Sequence, residues 1–137
     1  MKIGVISATH GLLRPEAEQR LAGVAHIVHA GDIGRPDVIT GLRQIAPVIA
    51  IRGNVDTDHW AERYPDTKMV RLGGRSIYVL HDIHELRLDP VSAELTWSFP
   101  ATRIGPGSRL FAACAILIQE APGLGVLTCP SLWRYWR

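Results

Sequence analysis

Ala25-His26-Ile27-Val28-His29-Ala30-Gly31-Asp32-Ile33-Gly34 is the stretch whose reading decides the fold. A short apolar run, Ala25 to Val28, stops on a glycine-flanked carboxylate and leads into Arg35-Pro36. This is the pattern of a buried strand in a parallel sheet, and the carboxyl ends of such strands are where α/β sheets hold their ligands. Gly31 and Gly34 leave room for something bulky, a phosphate or a metal ion, to approach the backbone. Taken alone, Asp32 reads more simply as the cap of a helix starting near Pro36. The chain on either side decides between the two.

Upstream, Lys2-Ile3-Gly4-Val5-Ile6-Ser7 predicts a first buried strand that breaks at Ala8-Thr9-His10-Gly11. Pro15 opens a helix with Ala17, Leu21 and Val24 at roughly helical spacing. Downstream, Pro36 to Ile45 predicts a second helix with Val38, Ile39, Leu42 and Ile45 on its apolar face. Pro47-Val48-Ile49-Ala50-Ile51-Arg52 predicts a third strand, ending on Gly53-Asn54-Val55-Asp56. This β-α-β-α-β order calls for a parallel sheet with right-handed crossovers. Thr57 to Tyr64 reads as a short helix or loop whose Trp60 and Tyr64 are expected to cover the rim of a site. Lys68 to Leu72 and Ser76 to Leu80 form a hairpin around Gly73-Gly74-Arg75, and the second of these strands ends on His81-Asp82-Ile83-His84-Glu85-Leu86.

The chain has 137 residues, 47% of them hydrophobic and 20% charged, which suits one domain with one sizeable core. A formal charge of +2 is too small to point to nucleic acid or an anionic membrane. Cys114 and Cys129 lack metal-knuckle spacing, Met1-Lys2 runs straight into a strand, and the longest apolar run, Leu110 to Ile118, is far short of a membrane helix. A soluble cytoplasmic domain is expected.

Four strand ends thus carry ligand-type residues: His10, Asp32, Asn54 and His81. In a doubly covered sheet such ends share one edge, so the four can converge on a site. Imidazole, carboxylate and amide oxygen make a mixed N/O set suited to Mn²⁺, Fe, Zn²⁺ or Ni²⁺ rather than a thiolate-preferring metal. A carboxylate between imidazoles can bridge two metals, the usual arrangement for phosphoryl hydrolysis.

The ordered series resembles the calcineurin-like metallophosphoesterases, specifically their small single-domain prokaryotic phosphodiesterase branch. That family carries Asp-x-His, Gly-Asp, Gly-Asn-x-Asp, a lone His and then Gly-His-x-His. The match lies at His10, Gly31-Asp32, Gly53-Asn54-Val55-Asp56 and His81, within residues 1–92. The resemblance implies an α/β protein, a metallophosphoesterase-type β-sandwich flanked by helices. It implies Asp32 bridging two metals, His10 on the first, and Asn54 and His81 on the second. Mn²⁺ is the foremost cofactor, with Ni²⁺, Fe, Zn²⁺ or Mg²⁺ as alternatives. The implied substrate is a small-molecule phosphate ester, hydrolysed by a hydroxide that two metals activate, and relatives often form homodimers. Val55 stands where many relatives place a His that assists the leaving group.

Two departures qualify this. Ala8 stands where the family has the Asp of Asp-x-His, and a methyl cannot ligate. No Gly-His-x-His follows His84; the chain instead reads Thr96-Trp97-Ser98-Phe99-Pro100-Ala101-Thr102-Arg103-Ile104, with no readable strand alternation from Ser98 on. Residues 93–137 therefore read as an atypical tail. Joining the third base of each codon from Leu95 to Pro106 with the first two of the next permits Asp-Val-Val-Val-Ser-Gly-His-Ser-His-Arg-Pro, which contains the missing motif. The same shift over Ala112 to Leu127 permits Asn-Pro-Gly-Ser, a segment this branch carries near its end. The expectation is a frame slip between Leu86 and Leu95, an incomplete second sheet and impaired phosphodiesterase turnover. A retromer subunit with this fold is a protein-interaction scaffold, so a non-catalytic binding module is the alternative. A Rossmann-type nucleotide binder is disfavoured, because Gly4-Val5-Ile6-Ser7 offers no Gly-x-Gly-x-x-Gly. His84 and Glu85 could orient His81 or face solvent, His26 is expected within the core or at a sheet edge, and His59 on the surface.

Overall fold

Three apolar runs form the centre of the first sheet in the computed structural model, which describes residues 2–82 and the strands Thr96–Trp97, Ala115–Gln119 and Leu127–Thr128. β1 (Ile3–Ile6), β2 (His26–Ala30) and β3 (Val48–Ile51) are joined by α1 (Pro15–Leu21) and α2 (Pro36–Arg43). β1 pairs parallel to β2 with Ile6 opposite His29, and β2 pairs parallel to β3 with His29 opposite Ala50. Each helix takes its proline in the first turn, where the missing N–H leaves no intrahelical bond unmade.

Alternation along these strands sorts side chains into two cores. Val5, Val28, Ala30 and Ile51 face the second sheet, packing with Ile77 and Val79. Ile6, Ile27 and Ala50 face the helices, packing with Leu21, Val38, Ile39 and Leu42. Burial on both faces explains why these strands read as continuous apolar runs. Truncating Leu42, fully buried, to Ala would cost about 2–5 kcal/mol.

The second sheet starts from β4 (Thr67–Leu72) and β5 (Arg75–Leu80), an antiparallel hairpin. Arg75 pairs with Leu72, so the turn is Gly73-Gly74 alone and Arg75, expected in the turn, belongs to the strand. Both glycines have positive φ, as a two-residue turn matched to strand twist requires. β6 (Thr96–Trp97) and β7 (Ala115–Gln119) extend this sheet in the order β4-β5-β7-β6. β8 (Leu127–Thr128) adds a parallel edge to β1. Two of these strands, β7 and β8, fall in the stretch after Ser98, where no strand alternation is readable. Ala115–Gln119 is a short continuous apolar run closed by a glutamine, which period-two alternation does not detect.

Tyr64 is a second correction: it is buried in the helix-side core, with Trp60 packed partly against the same cluster, and neither is placed by its contacts at a rim. The two rings meet edge to face at 6.2 Å. A 3-10 turn, His59–Arg63, presses this segment inward, with Ala61 buried. His59 is on the surface, paired with Glu62, and His26 is half-buried at the start of β2. Among the described residues no helix is long and apolar enough to cross a membrane. Ile83, His84, Glu85 and the change of character near Ala93 lie outside the described residues.

Candidate metal centre

The loop after β2, residues 31–34, is the hub on which the other strand ends close. The loop after β1 lies along it through three backbone bonds: Ala8 N–H to Gly31 O at 3.0 Å, His10 N–H to Asp32 O at 3.0 Å and Gly11 N–H to Ile33 O at 2.7 Å. Holding this ladder puts Ala8, His10 and Asp32 in the left-handed region, with φ of 51°, 47° and 56°. Asp tolerates that region well because its short side chain bonds locally, whereas Ala is strained there.

Asp32, Asn54 and His81 are brought together. His81 Nε2 lies 3.3 Å from Asp32 Oδ1 and 3.0 Å from Asn54 Oδ1. The Val55 N–H donates to the same Asp32 oxygen at 3.4 Å. Asp32 and His81 are each 5% exposed, while Asn54 is exposed, so the cluster opens to solvent on the Asn54 side. Two glycines make the approach possible. A Cβ on Gly31 would fall 2.6 Å from His81 Nδ1, and one on Gly53 would collide with the Asp32 carboxylate and backbone nitrogen.

The hydrogen bonding fixes the imidazole. His81 Nδ1 lies 2.9 Å from the Ala30 carbonyl, which can only accept, so Nδ1 carries a proton. Nε2 then faces two oxygens, and only a second proton or a cation between them satisfies all three atoms. In the metal-free protein the hydrogen bond to Asp32 raises the His81 pKa; burial opposes this, and the Ala30 carbonyl and the charges of Asp32 and Asp56 add to the rise. Burial alone would raise the Asp32 pKa, but the hydrogen bond and charge of His81, the Val55 amide and the charge of His10 together hold it below its ordinary value. A neutral imidazole, a carboxylate and an amide oxygen are a donor set that fits a divalent first-row cation. A backbone carbonyl on the far ring nitrogen is the orientation such ligands usually have.

His10 stands differently. It is exposed, and its charge reaches Asp32, yet among the described residues no three His, Cys, Asp or Glu side chains converge closely enough to hold an ion. Ala8, also exposed, contributes only its backbone.

Two buried groups beneath the site were not singled out by the sequence. Asp56, 3% exposed, accepts three backbone N–H bonds: from Ile33 at 3.0 Å, Gly34 at 2.8 Å and Gly53 at 2.8 Å. Its place in Gly53-Asn54-Val55-Asp56 was the available signal. Thr9 Oγ1 donates to the Ile33 carbonyl at 3.0 Å and lies 2.9 Å from Nε2 of fully buried His29. With the hydroxyl proton on Ile33, His29 Nε2–H donates to Thr9, and His29 Nδ1 is left as a buried acceptor with no partner. Burial pushes the His29 pKa down to about 4, against the opposing charges of Asp56 and Asp32.

The profile of the calcineurin-like phosphoesterase superfamily domain matches residues 1–98. A protein named "Probable metallophosphoesterase" from Methanothermobacter thermautotrophicus is 36% identical over 86 residues, covering 59% of this chain and 49% of its own length. The chain thus spans about half the length of the curated relative it matches. Vps29 from Chaetomium thermophilum has a similar fold, with a TM-score of 0.51 at 20% identity, over 67% of this chain and 51% of that one. A single-mutant Vps29 from Entamoeba histolytica aligns over 67% of this chain and 54% of its own, at 19% identity and a TM-score of 0.49.

Proposed function

The chain belongs to the calcineurin-like phosphoesterase superfamily, and from that premise we propose that it is a metal-dependent phosphodiesterase by descent, with three ligands kept at one metal position, two at the other, and no Gly-His-x-His to complete them. The observation that carries this is the convergence of Asp32 Oδ1, Asn54 Oδ1 and His81 Nε2 about an imidazole whose other nitrogen is fixed on Ala30. In this reading Asp32, Asn54 and His81 hold one divalent cation, Mn²⁺ foremost. That is the second position of the family's pair; His10 and Asp32 are what remains of the first, because Ala8 offers no oxygen.

A divalent cation at this place supplies positive charge against the charge that develops on phosphoryl oxygens. Asp32 supplies the negative charge that holds such a cation, and Asn54 supplies a neutral oxygen at the solvent side, where a phosphate ester would enter. Val55, 47% exposed beside Asn54, cannot exchange a proton with a leaving group, so that step falls to solvent. With Ala8 at one position and no Gly-His-x-His after His84, turnover is slow or absent.

Calorimetric titration with Mn²⁺ is the direct test. One equivalent bound, lost on His81→Ala in a variant that keeps its circular dichroism, is the expected result; no binding by the unmutated chain would overturn the reading. Family-like rates on bis(p-nitrophenyl) phosphate would overturn the impairment. The depleted Ala8 position favours a second reading, a non-catalytic binding module on the same fold, for which no stoichiometric Mn²⁺ binding is expected. For residues 93–137 the proposal is translation out of frame from a point between Leu86 and Leu95. Sequencing the gene tests it: third bases that cannot encode Gly-His-x-His in the shifted frame would sink the idea.

A further inference from the structure

We propose that Asp56 is a positioning residue that sets the spacing between the Asp32 loop and the Asn54 loop, and so the affinity of the site for its cation. The proposal rests on the functional reading above and names a residue that touches none of the candidate ligands' donor atoms. The Asp56 carboxylate is buried, and both its oxygens are used. Oδ2 accepts from Ile33 N–H at 3.0 Å and Gly53 N–H at 2.8 Å, while Oδ1 accepts from Gly34 N–H at 2.8 Å. Ile33 and Gly34 follow Asp32 directly, and Gly53 directly precedes Asn54. One carboxylate therefore ties the two segments that carry Asp32 and Asn54, from beneath. The Asp56 N–H in turn donates to Gly53 O at 3.1 Å, which closes the 53–56 turn on itself.

The chemistry explains why a carboxylate is needed. Three N–H groups converge on one side chain, so each must meet an acceptor, and only an ionised carboxyl offers two oxygens and no donor. Bonds from amides to an ionised group are roughly twice as strong as neutral ones, which gives this tie geometric stiffness. An amide at this position would turn an NH₂ toward one or two of these N–H groups, and the loops would part. Because Gly53 sits against the Asp32 carboxylate with no room for a Cβ, a small parting moves Asp32 relative to Asn54 and His81. Partners behind a metal ligand typically change affinity by about 10–100-fold when mutated.

The test compares Asp56→Asn with Asp66→Asn, which removes an exposed partner of Arg52 away from the cluster. Mn²⁺ affinity by calorimetry and thermal midpoint by circular dichroism are read on both, at the temperature where each is folded. The expected result is a 10–100-fold loss of affinity in Asp56→Asn and none in Asp66→Asn. A lowered midpoint with unchanged affinity would show that Asp56 serves stability alone and overturn the proposal. If Asp56→Asn does not fold, Asp56→Glu keeps charge and oxygens but displaces them by one methylene; unchanged affinity there would also overturn it. In the unmutated chain, the Ile33, Gly34 and Gly53 amides are expected to exchange only on global unfolding. Fast exchange at these three would refute the tie. If the unmutated chain binds no Mn²⁺, the functional reading fails, and the exchange experiment still decides the tie.

Discussion

The two sides of Asp32 are built to different standards. Toward β3 and β5, its carboxylate meets His81 Nε2 and the Val55 amide, Asn54 closes on the same imidazole, and Asp56 binds the loops from below. Toward β1, the backbone ladder is complete, yet the side chains on it are a methyl and an exposed imidazole. The backbone of the β1 loop is thus in place without a ligating side chain at Ala8. Backbone geometry there is fixed by Gly31, Asp32 and Ile33 carbonyls and by Thr9, none of which depends on what Ala8 carries.

The hardest test of this contrast is a pair of truncations. His81→Ala should abolish detectable Mn²⁺ binding, while His10→Ala should leave the affinity near that of the unmutated chain; equal losses would erase the distinction. The two buried imidazoles sharpen it by titration of the metal-free protein. His29 has a lowered pKa, so the unfolded chain binds its proton more readily, and stability falls as pH drops from about 6.5 to about 4. The full swing is about 3 kcal/mol, and urea unfolding of His29→Leu should show it removed. His81 acts in the opposite sense: its pKa is raised, so its contribution is complete below about 6.5 and is lost as pH rises through the folded value. The lowered Asp32 pKa contributes above about 3.9 and fades below it.

Ala8→Asp addresses the depleted side. It restores an oxygen on a backbone already in place, and a second, weaker equivalent of Mn²⁺ should appear in the titration. A stoichiometry still at one would show that the β1 loop no longer faces the cation. The smallest expected effect is Ala8→Gly. Relieving a φ of 51° should raise stability by about 1 kcal/mol, read as a higher thermal midpoint, with Mn²⁺ affinity unmoved.

Much of this was legible in the residues. Apolar runs ending on His10, Asp32 and Asn54, with Pro15 and Pro36 opening the intervening helices, give the parallel sheet and its ligand edge. Gly73-Gly74 marks the hairpin that delivers His81. What could not be read is which ligands close together, because that depends on how the second sheet packs on the first. Asp56 appeared as a motif letter, since its role lies in three backbone partners distant in sequence. Tyr64 sits in a polar-looking segment, and only the 3-10 turn shows that it points into the core.

His81 has a consequence of another kind. It directly follows β5 of the antiparallel sheet, whereas Asp32 and Asn54 follow strands of the parallel one. A cation shared among the three is a clasp across the sandwich, and the sheets cannot part without releasing it. At a hundred times its dissociation constant, such a cation would add about 2.7 kcal/mol against that opening. Exchange of the Val79 and Leu80 amides would then slow with added Mn²⁺, so hydrogen exchange in β5 becomes a gauge of whether the clasp is shut.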